Sequence, residues 1–403
     1  MMQDFDVIVV GGGPAGATAA YDLAREGRRV MLLDRAGRIK PCGGAVPPRL
    51  IRDFAIPDAQ IKARINAARA VAPSGKSVTM PIEGGYVGMV DRDDFDEFLR
   101  VRAAEAGAER RTGRFASLEQ RADGGVDVIY RESRGGADIH VSTAMLIGAD
   151  GANSEVAKQA LPHERTKSVF AYHEIVDSPK EASDVFDPKQ CDVIYRGELS
   201  PDFYAWIFPH GPHSSIGVGS ARKGFSLRGS VEQLRKETGL DACKTVRCEG
   251  APIPLKPRKR WDNRRNVLLI GDAAGVVAPA SGEGIYYAMT SGAIGAKAVA
   301  AAIDTKDAHA LAGARTAFLA EHGRVFRVLG WLQALWYRND WLRERFVAMC
   351  RDPDVQRLTW DAYMNKRMVK AQHKAHARLF FANIGNALAA RLGRKRTARE
   401  QPA

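Results

Sequence analysis

The chain has few cysteines, and their spacing forms no recognisable site. Its 403 residues contain five, an odd number without a Cys-x-x-Cys pair: Cys42, Cys191, Cys243, Cys248 and Cys350. This spacing argues against a disulfide framework and against a zinc site. We therefore expect reduced, mostly buried thiols and no metal centre.

Long apolar runs are also absent from the sequence. No stretch of about 20 mostly apolar residues occurs, so we expect no transmembrane helix. The chain starts on a strand-like run at residues 5–10, without a basic and apolar leader, so we expect no secretory signal. These absences predict a cytoplasmic protein that meets a membrane only at its surface.

Acidic residues are outnumbered by basic ones. The chain has 47 Asp and Glu against 60 Lys and Arg, for a formal net charge of +13. The tail from Lys366 to the end contains ten Lys or Arg and one acid, Glu400, so it carries most of the excess. Such a tail can meet anionic lipid, nucleic acid or only water. No nucleic-acid-binding module is evident, so we favour a lipid surface, contacted by residues 379–384 and 391–403, over a solvated tail.

Aromatic residues make up only 8% of the chain, yet four of them fall within residues 203–208. Alternate side chains of a strand share one face, so Tyr204, Trp206 and Phe208 would form a continuous aromatic wall. An ordinary core strand is the simpler interpretation of this pattern, because aromatic side chains dominate many cores. The other interpretation is a wall that holds a long apolar ligand.

The residues that follow the aromatic run limit its length. Pro209 lacks an amide donor and should end the strand. Gly217 and Gly219 have no side chains, so they would let another backbone or a ligand come close. We therefore assign Pro209, Gly217 and Gly219 to the same candidate ligand site as the aromatic wall.

The N-terminus has the pattern strand, glycine-rich turn, helix and strand within about thirty residues. Gly11, Gly13 and Gly16 form Gly-x-Gly-x-x-Gly, where missing side chains allow a tight turn and close approach of a pyrophosphate to the helix N-terminus. Asp34 ends the second strand, where its carboxylate can accept from ribose hydroxyls. This predicts dinucleotide binding, with further contacts from Pro14, Ala15 and Arg35.

Two more short turns follow strand-like segments and could face the same ligand. One contains Asp150 within residues 148–154, and the other contains Asp272 within residues 271–275. Together with the first turn they resemble the p-hydroxybenzoate hydroxylase type of FAD-binding fold. The resemblance implies that Asp272 reaches the ribitol and diphosphate of FAD and that Asp150 lies near the flavin and nicotinamide cofactors. It also implies that Arg92, at a helix start, lies near the FAD phosphates.

The segment before a second glycine- and alanine-rich helix has a further predicted role. Backbone N–H groups at Gly282, Gly284 and Ile285 open that helix and could stabilise negative charge on a reduced flavin. We interpret Glu283 as an acid placed at a helix start rather than as a catalyst. Only one Gly-x-Gly-x-x-Gly follows a strand, so any NAD(P)H would bind transiently, without a Rossmann domain of its own.

Two motifs resemble the geranylgeranyl reductase family, most closely its chlorophyll and bacteriochlorophyll branch. One is Lys40-Pro-Cys-Gly-Gly44, which contains Cys42 and Gly43, and the other is the aromatic run with its two following glycines. The resemblance covers nearly the full chain. It implies FAD as hydride donor, NADPH as reductant and reduction of three isolated C=C bonds of a geranylgeranyl chain to phytyl. The chain could be a free diphosphate or esterified to a tetrapyrrole, and a photosynthetic or inner membrane surface becomes the expected location.

An isolated alkene offers no charge to bind, so catalysis would depend on positioning and on a proton source. Tyr86, His173, Tyr204 and His210 are possible donors, as is water. Cys42 lies between a proline and two glycines near the expected flavin, so we expect it to contact flavin or substrate without forming a covalent bond. Cys42 and Tyr204 are therefore the candidate catalytic residues.

Three alternative functions remain open from the sequence. An aromatic-ring monooxygenase on the same fold would consume oxygen. A flavin-dependent isoprenoid isomerase or cyclase would be redox-neutral. A lipid-binding or assembly subunit would retain FAD without turnover.

The fold expected is α/β, with a Rossmann-like FAD domain, an antiparallel-sheet substrate domain and a helical C-terminal region. Hydrophobic residues at 45% and charged residues at 27% suit a globular chain of two or three domains. Tryptophans 331, 336 and 341 are expected at the edge of a helical core. The predicted boundaries are residues 1–75, 91–165 and 262–305 for the FAD domain, 76–90 and 166–261 for the substrate domain, and 306–403 for the helical region with its basic tail.

Overall fold

The computed structural model describes residues 4–366 apart from residues 36, 38 and 165. The predicted membrane-binding segments, residues 379–384 and 391–403, lie outside the described residues. The helices within the described range are α1 Pro14–Arg25, α2 Pro48–Asp53, α3 Arg92–Glu105, α4 Glu155–Ala160, α5 Leu227–Glu237, α6 Ile285–Thr305, α7 Ala312–Trp336, α8 Asp340–Met349 and α9 Pro353–Asn365.

Within the described residues, the strands form three sheets. Their bounds are β1 Phe5–Val10, β2 Val30–Asp34, β3 Ala45–Val46, β4 Ala63–Ile65, β5 Ala67–Val71, β6 Ser77–Pro81, β7 Val87–Met89, β8 Glu109–Thr112, β9 Arg114–Gln120, β10 Val126–Arg131, β11 Ile139–Gly148, β12 Ser168–Asp177, β13 Gln190–Ile194, β14 Ala205–Pro209, β15 His213–Ser220, β16 Thr245–Pro254 and β17 Val267–Leu269.

The first sheet contains the predicted N-terminal motif. Its order is β8-β2-β1-β11-β10-β9, with β17 beside β11, and β8, β2, β1, β11 and β17 run parallel. Helices pack on this sheet, and α1 crosses α6 so closely that a Cβ at Gly292 would lie 2.4 Å from the Ala15 carbonyl oxygen. Parallel strands with buried Val and Ile runs and covering helices are typical of a nucleotide-binding α/β layer.

The second sheet has the order β16-β12-β15-β14-β13-β5-β6, and each neighbouring pair is antiparallel except β13 with β5. Helix α5 covers one face, where Ala205 and Ile207 are buried. The other face carries Tyr204, Trp206 and Phe208, which pack toward α7 and α8. The predicted alternation of the aromatic strand is therefore confirmed, and the strand ends at Pro209 as expected.

The remaining parts complete the α/β fold. Strands β3, β7 and β4 form a small antiparallel sheet. Helices α7, α8 and α9 make up the described part of the predicted C-terminal helical region. The predicted domain boundary at residue 75 divides the β5–β6 hairpin, which belongs wholly to the second sheet because Ala67 pairs with Pro81. The antiparallel layer therefore begins earlier in the chain than expected.

No helix in the described part of the chain combines the length and apolarity needed to cross a membrane. All five cysteines are free thiols, as predicted. Cys191 and Cys350 are buried, but Cys248 is exposed, so burial is less general than expected.

Candidate active site

A cavity of about 410 Å³ lies where the first sheet meets the second, within the size range of small-molecule sites. Residues from both sheets, the glycine turn and the α6 N-terminus share its wall. The predicted site residues that line it are Gly11, Gly13, Pro14, Ala15, Asp34, Arg35, Cys42, Gly43, Arg92, Asp150, Tyr204, Trp206, Phe208, Asp272, Gly282, Gly284 and Ile285.

The glycine turn brings the N-terminus of α1 to the cavity. Gly13 is the N-cap residue and Pro14 follows at the first helical position, where a missing N–H costs nothing. A Cβ at Gly11, which has φ +109°, would lie 2.3 Å from the Ala149 carbonyl oxygen, whereas a Cβ at Gly13 would meet nothing within 4 Å. The turn is thus packed on the protein side and open on the ligand side, as a bound pyrophosphate requires.

Gly16 has a supporting position rather than a lining one. A Cβ there would lie 1.9 Å from the Gly11 carbonyl oxygen, so only glycine lets α1 start this close to β1. Asp34 ends β2 at the cavity, and Arg100 Nη1 lies 3.3 Å from its Oδ2. This arginine steadies a carboxylate that remains placed to accept from a ribose.

Asp272 lies in a short turn after β17, beside the start of α1, where a Cβ at Gly271 would lie 2.7 Å from Ala15 Cβ. Its buried carboxylate forms an ion pair with Lys40, from the loop that carries Cys42. Gly282, Gly284 and Ile285 line the cavity beside it, with Gly284 as the N-cap of α6. The first N–H groups of this long helix lack intrahelical acceptors, so this edge of the cavity favours negative charge.

Asp150 lines the cavity, but its side chain has another task. Its carboxylate accepts from Ser154 Oγ at 2.5 Å and from the N–H groups of Glu155 at 2.6 Å and Val156 at 3.2 Å. It therefore holds the start of α4. Any contact of Asp150 with a cofactor must share a carboxylate that the helix already uses.

Arg92 is buried at the start of α3 and touches Cys42. Its Nε and Nη2 donate to the two Asp96 carboxylate oxygens at 2.8 and 2.7 Å. Burial alone would lower the pKa of Arg92, but the paired Asp96 raises it above the usual value, with a smaller contribution from a hydrogen bond to Cys42. The guanidinium is thus a permanent positive charge at the thiol, although two of its five N–H donors already serve Asp96.

The aromatic wall is continuous. The ring centroids of Phe203 and Tyr204 are stacked 4.3 Å apart, those of Tyr204 and Trp206 lie 6.0 Å apart, and those of Trp206 and Phe208 lie 6.3 Å apart. Phe203 belongs to this wall too, although alternation places it off the strand's aromatic face. The wall joins a cluster of apolar side chains that reaches Trp336 and Tyr337 at the end of α7.

Tyr204 has its hydroxyl committed to the backbone. The phenol donates to the Ser281 carbonyl oxygen at 2.5 Å, and burial raises its pKa well above the usual value. A phenol holds one proton, so this geometry favours Tyr204 as part of the wall over its predicted catalytic role.

A chain of polar contacts behind the wall fixes the Trp206 indole. Its Nε1–H donates to Ser215 Oγ at 3.0 Å, and that oxygen lies 2.9 Å from His173 Nδ1. His173 Nε2 lies 2.8 Å from Glu249 Oε2, and Arg247 contacts the same carboxylate. Ser215 Oγ accepts from the indole and keeps one proton and a second lone pair, so it can either donate to His173 Nδ1 or accept from it, according to the imidazole tautomer. None of the sequence motifs predicts these supporting contacts of Trp206.

The predicted ligand contacts at Gly217 and Gly219 have a different structural reason. A Cβ at Gly217 would lie 2.2 Å from Trp206 Cζ2, and one at Gly219 would lie 2.6 Å from Phe203 Cδ1. The missing side chains make room for the rings of the wall rather than for a ligand. Pro209 likewise ends β14 without lining the cavity.

The possible proton donors lie in different places. His173 lines the cavity, whereas Tyr86 does not and instead lies under the Arg64 guanidinium. His210 is buried behind the loop that carries Cys42. Glu283 is buried beside Lys366, which forms an ion pair with it at 2.5 Å, and burial raises the pKa of Glu283. The pair anchors the end of α9 next to the α6 N-terminus, in agreement with a structural role for Glu283.

Sequence comparisons identify the family. A family model described as FAD binding domain matches residues 51–315, more than half of the chain, and one described as FAD dependent oxidoreductase matches residues 6–45. Geranylgeranyl diphosphate reductase of Rhodobacter capsulatus is 52% identical, over 95% of this chain and 97% of the relative. The chain belongs to the geranylgeranyl reductase family. The Synechocystis member is 32% identical over 95% of this chain and 97% of its own.

A more distant relative is named for another lipid substrate. Digeranylgeranylglycerophospholipid reductase of Methanocaldococcus jannaschii is 30% identical over 75% of this chain and 78% of its own. These relatives are named as reductases, so the comparisons favour the predicted oxidoreductase over the monooxygenase alternative.

Solved structures confirm the fold. A geranylgeranyl bacteriochlorophyll reductase-like protein from Thermoplasma acidophilum superposes with a TM-score of 0.78 at 21% identity, over 91% of this chain and 98% of that one. A flavin-dependent brominase has a TM-score of 0.73 at 17% identity, over 96% and 99% of the two chains. At these identities the likeness concerns the fold alone, which is the predicted FAD-binding α/β fold.

Proposed function

We propose that this geranylgeranyl reductase family member saturates the three isolated C=C bonds of a geranylgeranyl chain to give phytyl, with FAD as its cofactor and NADPH as reductant. The observation that carries the proposal is the continuous aromatic wall, which lines the same cavity as the FAD cradle formed by the glycine turn, Asp34, Asp272 and the α6 N-terminus. An apolar chain can lie against that wall while the cofactor lies against the glycine turn. No polar handle on the alkene is needed for such binding.

The cradle suits FAD on chemical grounds. The open side of Gly13, the α1 N-terminus and the ribose-facing Asp34 fit the adenosine and pyrophosphate parts, while Asp272 and the α6 N-terminus fit the ribitol and flavin parts. FAD bound there would supply the hydride for each double bond. Arg35 and the Cys42–Gly44 loop complete the proposed set of contacts.

The aromatic wall would contribute affinity for the prenyl chain and would set the order in which its double bonds react. Each CH₂ removed from water contributes about 0.8 kcal/mol, so a prenyl chain can bind tightly through apolar contact alone. Buried rings also keep water away from the reacting carbon. Sliding of the chain along Tyr204, Trp206 and Phe208 would present successive double bonds to one fixed reaction centre.

Reduction of an alkene adds a hydride to one carbon and a proton to the other, and we propose Cys42 as the proton donor. The Cys42 sulfur accepts from the Gly44 N–H at 3.4 Å and contacts the Arg92 guanidinium. Both contacts use the sulfur as acceptor, so its S–H bond remains available to the cavity. The Arg92 charge would stabilise the thiolate left after proton transfer, and solvent would restore the proton.

The names of the relatives indicate two forms of the substrate's head group. The relatives from Rhodobacter and Synechocystis are named for geranylgeranyl diphosphate, and the name of the Thermoplasma protein refers to geranylgeranyl bacteriochlorophyll. We propose that either the diphosphate or the chain esterified to a tetrapyrrole is accepted, with a role in chlorophyll or bacteriochlorophyll synthesis.

We also propose peripheral membrane association through the α7–α8 hairpin. Trp331 and Trp341 are 53% and 52% exposed, and the Arg345 guanidinium lies 4.6 Å from the Trp341 ring centroid. Arg327 and Arg338 are exposed on the same hairpin. Exposed tryptophan with arginine suits the boundary between lipid head groups and acyl chains.

The proposed role of the wall is tested with Trp206→Ala. Truncating a buried aromatic contact typically costs about 2 kcal/mol or more, so prenyl turnover should fall at least about thirtyfold while bound FAD stays near stoichiometric. Ser215→Ala leaves the indole ring in place but removes the oxygen that accepts from it and contacts His173, and it should cost about fivefold. Ser214→Ala is the matched control, because Ser214 lies next to Ser215 on β15 but its hydroxyl bonds that of Ser178, at 2.8 Å, instead of the indole. Parallel loss of FAD and turnover in Trp206→Ala would instead indicate a packing role.

A further inference from the structure

The loop that carries Cys42 is held by the end of the aromatic strand. A Cβ at Gly43 would lie 2.6 Å from Phe208 Cδ2, and a Cβ at Gly44 would lie 2.3 Å from His210 Cε1. The Val90 N–H also donates to the Gly44 carbonyl oxygen at 2.9 Å. The two glycines therefore let the loop lie directly against the strand end, so the two family motifs touch.

His210 makes two hydrogen bonds that link this loop to α3. Its Nε2 lies 3.0 Å from the Gly43 carbonyl oxygen, and its Nδ1 lies 3.0 Å from Asp91 Oδ1. A carbonyl and a carboxylate both accept hydrogen bonds, so both ring nitrogens must carry protons for both bonds to form. The ring is 3% exposed, which keeps water from replacing either partner.

The charges around His210 agree with that protonation. Burial alone would raise the pKa of Asp91, but the hydrogen bond and charge of His210 bring it below its usual value. Arg247 and Lys62 also face Asp91 and act in the same direction. A buried carboxylate kept ionised in this way is a suitable partner for an imidazolium.

We propose that His210 is a positioning residue that fixes the Cys42 sulfur beside Arg92 by clamping the Gly43 carbonyl to the start of α3. The inference rests on the proposed role of Cys42 in prenyl reduction. Arg92 and Asp91 are consecutive, so the clamp ties the loop to the same helix start that supplies the guanidinium. A proton donor must be held within hydrogen-bond reach of its acceptor, and a displacement of about 1 Å can cost a large part of the rate.

Two variants separate the two hydrogen bonds. His210→Gln places an amide near the Nε2 position, so it can still donate to the Gly43 carbonyl oxygen. His210→Asn places its amide near the Nδ1 position, so it can reach Asp91 and loses the loop. His213→Asn is the matched control, because His213 lies on the next strand, partly exposed and 3.7 Å from Asp177.

The readout is the rate at which iodoacetamide alkylates Cys42 in the FAD-loaded full chain, measured peptide by peptide with mass spectrometry. Exposed Cys248 serves as an internal standard. In His210→Asn the Cys42 rate relative to Cys248 should rise about fivefold, the change expected for one lost hydrogen bond. His210→Gln and His213→Asn should stay within about twofold of the parent.

Equal acceleration in His210→Gln and His210→Asn, or acceleration in neither, would overturn the clamp. FAD content and melting temperature show whether a variant folds, and Asp91→Asn provides a second test, because an amide oxygen still accepts from His210 and should leave the Cys42 rate low. Absence of prenyl product from the parent protein would defeat the proposed function while leaving the alkylation result intact. The two failures are therefore distinguishable.

Discussion

At the scale of single residues, one buried histidine predicts how stability depends on pH. His322 on α7 is fully buried, and its ring centroid lies 5.2 Å from that of Tyr287 and 5.0 Å from that of Phe318. Burial lowers the pKa of His322 from 6.5 to about 4, with Glu321 acting against it and Arg49 and Lys366 with it. The folded state therefore favours the neutral imidazole of His322.

The sign of the effect follows from proton linkage. The unfolded chain binds a proton at His322 at a higher pH than the folded chain, so the full stability contribution is present above pH 6.5 and is lost as the pH falls toward about 4. The loss amounts to at most roughly 3 kcal/mol. His322→Phe should flatten the fall in unfolding free energy between about pH 7 and pH 5, measured by urea denaturation. His163→Phe, at an exposed position, is the control, and an unchanged slope in His322→Phe would contradict the assignment.

Residue patterns predict local roles well when the cause lies within a few residues. The alternation of Tyr204, Trp206 and Phe208 follows from the pleat of one strand, and the glycine at position 16 follows from the close approach of its backbone to the Gly11 carbonyl oxygen. Partners from distant segments were not predictable: Ser215 and Glu249 support the wall, and Lys366 pairs with Glu283, although no local pattern marks these residues. Gly217 shows the same limit, since its missing side chain accommodates a ring from the neighbouring strand.

At the scale of secondary-structure elements, existence was predicted better than extent. Helix α1 begins at Pro14, inside the predicted glycine turn, because proline is favoured in the first turn of a helix. Helix α6 opens at Ile285 as predicted and extends to Thr305, an end that no motif in the sequence marks. Asp150 lines the cavity as predicted and also accepts from the first N–H groups of α4, a six-residue helix with Ser154 as its N-cap that the sequence pattern does not indicate.

The C-terminal helices show why spacing alone misplaces side chains. Trp336 is buried against the wall cluster, as a core edge requires, but Trp331 and Trp341 are exposed. Trp331 and Trp336 both lie on α7, where five residues correspond to well over one full turn, so these two side chains point in different directions, whereas Trp341 lies on the next helix, α8. Which of them meets the core depends on how α7 and α8 pack on the second sheet.

At the scale of the whole molecule, the site is assembled from segments far apart in sequence. The glycine turn, the Cys42 loop, the α3 start, the aromatic strand and the α6 start converge on one cavity. The glycine turn alone predicts dinucleotide binding, whereas the shorter motifs are informative only together, through the family resemblance. The side chains that support the motifs, such as Ser215 and Glu249 behind the aromatic wall, are brought there only by three-dimensional packing.

The proposed membrane surface also belongs to this scale. Each arginine near an anionic bilayer contributes about 1 kcal/mol, so Arg327→Ala and Arg338→Ala should each weaken binding to phosphatidylglycerol vesicles about fivefold at low salt. Sedimentation with vesicles measures the bound fraction, and neutral phosphatidylcholine vesicles should show no such loss. Phe170→Ala removes a 55% exposed side chain from the second sheet and should have no effect. If deleting residues 391–403 abolishes binding while the arginine variants bind normally, the basic tail is the docking segment instead.

The central claim is that this cavity reduces isolated prenyl double bonds. It is tested most directly by incubating the FAD-loaded protein with NADPH and geranylgeranyl diphosphate, or geranylgeranyl-bacteriochlorophyll, without oxygen and following product mass. The account predicts mass gains in successive steps of two hydrogens, ending at phytyl, with matching NADPH consumption. An oxygen requirement would indicate a monooxygenase, product of unchanged mass would indicate an isomerase or cyclase, and FAD that NADPH cannot bleach would indicate a binding protein; each of these results would contradict the account.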